Sequence, residues 1–142
     1  MENQFKIKII KNLFYDIDSK KSKEKIPFCT ADIVEKYANK HDVDALLVAA
    51  IIKTENESKS FLFSINNPGC LLSEESNYQK PIVFDNLDNG IEHLCKMIKL
   101  VRDSQEIFNP EDITNLLRPT EPAWSEQVQK YYLKLIEMYR GK

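Results

Sequence analysis

Apolar side chains recur every three to four positions along most of this chain, the spacing that puts them on one face of an α-helix. Phe5, Ile9, Leu13 and Ile17 are spaced by four and predict a first helix, although Phe5, Ile7 and Ile9 alone also fit a strand. A polar linker, SKKSKEKIPF, follows and ends near Pro27. Ile33, Val34, Tyr37 and Ala38 then form one stripe, with Thr30 as the expected N-cap. The segment ALLVAAIIKTE, starting near Asp44, is apolar almost all round, which predicts the helix at the centre of the domain.

Helical period is lost between Ser58 and Asn86, where NNPG, SEESN and two prolines predict loops and a short hairpin around Ile82 to Phe84. Loops of this kind carry function more often than the elements they join. Ile91, Leu94, Cys95, Ile98 and Val101 restore the helical pattern, with Asp88 expected to cap it. Asn109 followed by Pro110 predicts a short helix carrying Ile113, Leu116 and Leu117, which Pro119 ends. A last helix, from about Ala123 to a C-terminal cap at Gly141, carries Val128, Tyr131, Leu135 and Met138. The fold class expected is mainly α, a single domain of about six helices with a loop or short-hairpin region on one side.

Composition narrows the function classes. The 142 residues suit one domain with its own core. With 20 Lys and Arg against 22 Asp and Glu, the formal charge of -2 argues against a bulk electrostatic grip on nucleic acid. The run Lys20, Lys21, Lys23 and Lys25 is interrupted by Glu24 and has no interleaved aromatics, so it reads as a solvated loop. Cys29, Cys70 and Cys95 match neither a disulfide framework nor a zinc site. His93 and Cys95 lie two apart on a predicted helix and cannot share a metal; no metal or other cofactor is expected. No apolar run is long enough to span a membrane, and no signal peptide is visible in the chain as given.

The candidate for chemistry is Glu55. It lies four residues after Ile51 and eight after Leu47, so it extends the face of the most apolar helix. A carboxyl group among apolar walls is disfavoured in its charged form, which suits a general acid for glycosidic cleavage. The same position also fits a residue that merely begins a solvated helix end. Glu57, two residues on, points elsewhere if the helix continues.

The run IIKTENESKSFLFSINNPGCLL sets a glutamate at the end of a buried helix, then a serine-containing loop, then an Asn-Asn-Pro-Gly turn. This resembles the bacterial cell-wall glucosaminidases of glycoside hydrolase family 73 and, more distantly, the soluble lytic transglycosylases, all with a lysozyme-like α+β fold. Upstream, ADIVEKYANKHDVDALLVAAIIKTE resembles the two helices that lead to the family's catalytic glutamate. Downstream, Tyr78, Phe84, LDNGIEHLCKMI and WSEQVQKYY resemble its turn, its Gly-Ile helix and its closing helix. The likeness covers about residues 30 to 139.

The resemblance implies a peptidoglycan hydrolase, an autolysin or phage lysin acting on β-1,4 glycosidic bonds, with Glu55 as the acid and peptidoglycan glycan strands as partner. It divides the chain into residues 1–29, a helix and linker packed on the domain, and residues 30–142, a lysozyme-like glycan-cleaving domain with the loop region as one wall of a cleft. Asn66, Asn67, Pro68 and Gly69 match the loop at the floor of the sugar cleft; Tyr78 and Phe84 are candidate sugar-stacking or cleft-wall residues, with core packing at least as open for Phe84. No motif fixes a second carboxylate. Glu74 and Glu75 are the local candidates, with Asp85 behind them, while Trp124 reads more readily as core. The chain departs from the family at Asn56, Glu57 and Cys70, where small residues or glycine are usual. Lytic transglycosylase or muramidase chemistry, or a catalytically silent glycan-binding or interaction module, stays open. Location at the cell wall then requires a trimmed leader, release through a holin, or carriage inside an assembly.

Overall fold

A computed structural model describes residues 2–15 and 25–141. Six helices follow in order: α1 (Glu2–Phe14), α2 (Thr30–Lys40), α3 (Ala45–Ser58), α4 (Leu87–Gln105), α5 (Pro110–Leu117) and α6 (Pro122–Arg140). Ile17 and the lysines at 20, 21 and 23 lie outside the described residues.

Helix α3 is the axis of the fold: residues 45–56 are all buried, and α1, α2 and α6 pack around it. Its all-round apolarity is satisfied because no face meets water. Asp44 caps it, accepting from Leu46 N at 2.9 Å. Helix α1 adds Ile9, Ile10, Leu13 and Phe14 to the same core, so residues before position 30 belong to that core. Among the described residues no helix is long and apolar enough to cross a membrane.

Two caps differ from expectation. Helix α2 starts after Cys29, and Thr30, its first helical residue, is buried. Helix α4 is capped by Asn86, whose side chain accepts from Asn89 N at 2.8 Å. Asp88 instead accepts from the Tyr37 hydroxyl at 3.1 Å and ties α4 to α2. Asn109 caps α5 as expected, accepting from Glu111 N at 2.8 Å.

No strand forms among the described residues; the expected hairpin is reduced to an isolated antiparallel bridge, Leu72 to Pro81. Ser73 N donates to Lys80 O and Ile82 N to Leu71 O, each at 2.9 Å. The pairing lies earlier than Ile82 to Phe84 because Asn77 and Tyr78, at φ 56° and 60°, turn the chain back through two left-handed residues. Phe84 then packs against the His93 ring, 5.3 Å between centroids.

Glu92 of α4 holds the end of α2, 2.8 Å from Lys40 Nζ and 2.7 Å from His41 Nε2. The hydrogen bond from Lys40, and after it that from His41, lowers its carboxyl to about 2 from the ordinary 4.5. A depressed carboxyl adds stability that is present above its unfolded value and lost as pH falls through its folded one. Melting temperature should therefore drop between pH 4.5 and 2 more steeply in the native protein than in Glu92→Gln. Parallel slopes over that window would remove Glu92 from the acid response.

Candidate functional site

Glu55 occupies the last turn of α3 and is fully buried. Three donors enclose its carboxylate. Trp124 Nε1 donates to Oε1 at 2.6 Å, and Arg118 Nη1 lies 3.3 Å from the same oxygen. Lys59, one turn further along the chain, reaches Oε2 at 3.3 Å. The Arg118 guanidinium also lies over the Trp124 ring, 4.6 Å from its centroid. Thus the end of α3, the α5–α6 turn and the start of α6 converge on one carboxyl group.

Above this cluster is a pocket of about 1240 Å³. Residues 69–76 and 80–83 of the long loop form one wall, α4 supplies His93, Leu94, Met97 and Val101, and Arg118 and Trp124 lie on the side nearest Glu55. Glu55 itself does not line the pocket but lies one layer beneath it, behind Cys70, Arg118 and Trp124.

The sequence candidates separate here. Glu74, Glu75, Tyr78 and Gly69 line the pocket; Asn66, Asn67, Pro68, Phe84 and Asp85 do not. Glu74 and Glu75 are exposed, and Glu74 accepts from the Tyr78 hydroxyl at 3.1 Å. The amide groups of the NNPG turn are directed into the loop's own backbone. Asn67, fully buried, donates to Leu71 O and Ile82 O and accepts from Leu71 N, all at 2.9 Å. Asn66, left-handed at φ 59°, donates to Phe84 O at 2.9 Å. These two side chains shape the wall from behind. Glu57 turns toward α6, where it accepts from the Tyr131 hydroxyl.

Sequence reading passed over Arg118, Lys59 and Trp124 as site residues. Lys59 was legible from its i, i+4 relation to Glu55. Trp124, expected as core, is only partly buried and reaches Glu55 across 69 positions of sequence. Nothing local marks Arg118, which follows α5 and leads into Pro119.

Cys70 lies beside the cluster in a left-handed conformation, φ 52°, which favours glycine. Burial, and then the Glu55 charge, pushes its thiol up; burial pushes Cys95 up to about 12. Cys29 is exposed. A thiol reagent near neutral pH should therefore titrate Cys29 quickly and Cys70 and Cys95 slowly, with all three reacting after denaturation. Fast reaction of two or more thiols in the folded protein would contradict this burial.

Among the described residues no cluster of His, Cys, Asp or Glu is placed to hold a metal ion. Compared with protein-family models, curated proteins and solved structures, the chain matches none.

Proposed function

We propose that this protein cleaves the β-1,4 bonds of bacterial cell-wall glycan strands, as an endo-β-N-acetylglucosaminidase, with Glu55 protonating the leaving oxygen. The observation that carries the reading is the placement of Glu55: a fully buried carboxyl at the end of the central helix, one layer below a pocket beside a tryptophan. Trp124 lines the pocket, partly buried and with Arg118 over its ring, and an indole is a side chain of the kind sugar rings pack against. In this reading the six helices and residues 59–86 are a lysozyme-like α+β domain, the pocket is its glycan cleft, and Glu74 or Glu75 on the loop wall activates water or stabilises the developing charge. A single acid also suffices where the sugar's own hydroxyl attacks, the transglycosylase variant.

One observation favours a different class, a glycan-binding module without turnover: both Glu55 oxygens are already occupied by cationic or indole donors. Digestion of purified peptidoglycan with mass analysis of the new ends separates the readings. Reducing-end N-acetylglucosamine supports the proposal. Reducing-end N-acetylmuramic acid indicates a muramidase, an anhydro end a transglycosylase, and binding without any new end the silent module.

A further inference from the structure

A proton donor needs a clear line from one of its oxygens to the glycosidic oxygen. In the structure Glu55 has none: Oε1 faces Trp124 and Arg118, and Oε2 faces Lys59. One donor must leave before substrate can be protonated. The indole bond is short, 2.6 Å, and Trp124 packs against the core. Arg118 differs because its Nη1 is shared between two carboxylates, Glu55 Oε1 at 3.3 Å and Glu121 Oε2 at 3.5 Å. Its Nη2 meanwhile reaches Gly69 O at 3.3 Å and Cys70 O at 3.4 Å on the loop wall. The guanidinium can thus give up Glu55 without losing the loop. Glu121, half exposed on the pocket lining, is its second seat.

We propose that Arg118 is a positioning residue that covers Glu55 and passes its Nη1 to Glu121 when a glycan enters, so that Oε1, still held by Trp124 but freed of the guanidinium, takes up a proton from solvent and turns it toward the substrate. The proposal rests on the reading of Glu55 as the acid. Each turnover then includes a hand-over between two carboxylates, with the planar guanidinium as the moving part. Lysine cannot replace it, since a single ammonium lacks the fork that holds two carbonyls and a carboxylate together.

Two thermodynamic cycles test it. In the first, turnover of wall glycan is measured for the wild type, Glu121→Gln, Arg118→Met and the double variant. Weakening the second seat should lower kcat about ten-fold in Glu121→Gln with KM changed by less than about three-fold, the pattern of a step made after binding. In the Arg118→Met background the same change should have no further effect on kcat. Unchanged kcat in Glu121→Gln, or an equal loss in both backgrounds, overturns the hand-over.

The second cycle needs no substrate: the Arg118–Glu121 coupling is read from melting temperatures of the same variants, with Glu55 intact and as Glu55→Gln. Removing the Glu55 charge should send Arg118 to Glu121, so the coupling should be larger with Glu55→Gln. Equal coupling overturns the proposal whether or not the protein turns over glycan. Larger coupling without wild-type turnover removes the glycosidase reading and leaves the hand-over standing. Where Arg118→Met fails to fold, the neutral Arg118→Gln serves in both cycles, with the same outcomes expected.

Discussion

Glu55→Gln should lower turnover of cell-wall glycan by about 10²–10⁴-fold, the usual contribution of a general acid. The amide keeps the shape and the acceptor oxygen, so Trp124 Nε1 retains its partner, but no acidic proton remains to give to the leaving oxygen. Stability should fall as well. Removing one member of a buried ion pair costs about 3–5 kcal/mol when the partner is left enclosed. Here the partners are not enclosed: the side chains of Lys59 and Arg118 are 33% and 17% exposed, and Arg118 has Glu121 nearby. The loss should therefore lie below that range, and the variant should be folded at room temperature. Emission of Trp124, the chain's one tryptophan, checks that the indole still sits against position 55. The control is Glu57→Gln, which keeps an acceptor for the Tyr131 hydroxyl and should turn over near the wild-type rate. Equal activity in wild type and Glu55→Gln would remove Glu55 from the chemistry.

What the sequence made legible, and what it hid, divides along physical lines. The central helix was readable because a segment apolar on every side has no stable place except the interior, and residues 45–56 are buried accordingly. The direction of Glu55 followed from its register with Leu47 and Ile51. What encloses it did not follow, because Arg118 and Trp124 approach from the α5–α6 turn, through packing that no local pattern encodes. The NNPG turn was found as a turn, but the use of its amides was not. An asparagine that folds its own loop and one that binds a sugar have the same neighbours in sequence; only burial separates them, and Asn67 is fully buried. The cap at Asn86 was misplaced by two residues because Asp85, Asn86, Asp88 and Asn89 stand together at that helix start, and the one at Cys29 by one residue because no side chain there makes a cap bond that sequence could signal.

The second large effect is on folding. Gly90, in the first turns of α4, lies against the backbone of the NNPG turn: a methyl group there would stand 1.7 Å from the Asn66 carbonyl oxygen and 2.9 Å from its carbon. By helix propensity alone, Gly90→Ala should stabilise α4 by about 1 kcal/mol. The clash dominates, because the obstructing atom is backbone and cannot rotate aside. To make room, either α4 moves out, drawing Ile91 and Leu94 from the core, or the turn shifts and strains the Asn66 bond to Phe84 O. Such overpacking costs about 3 kcal/mol or more. At roughly 3 °C per kcal/mol for a chain of this size, Gly90→Ala should melt about 10 °C below the wild type. Gly69→Ala provides the contrast, since the atoms it would meet at 2.9 Å belong to the Leu94 side chain, which can change rotamer. Its melting temperature should fall by much less. A Gly90→Ala variant as stable as the wild type would mean that α4 and the NNPG turn do not pack backbone to backbone, and the pocket wall they form would have to be rebuilt around a looser loop.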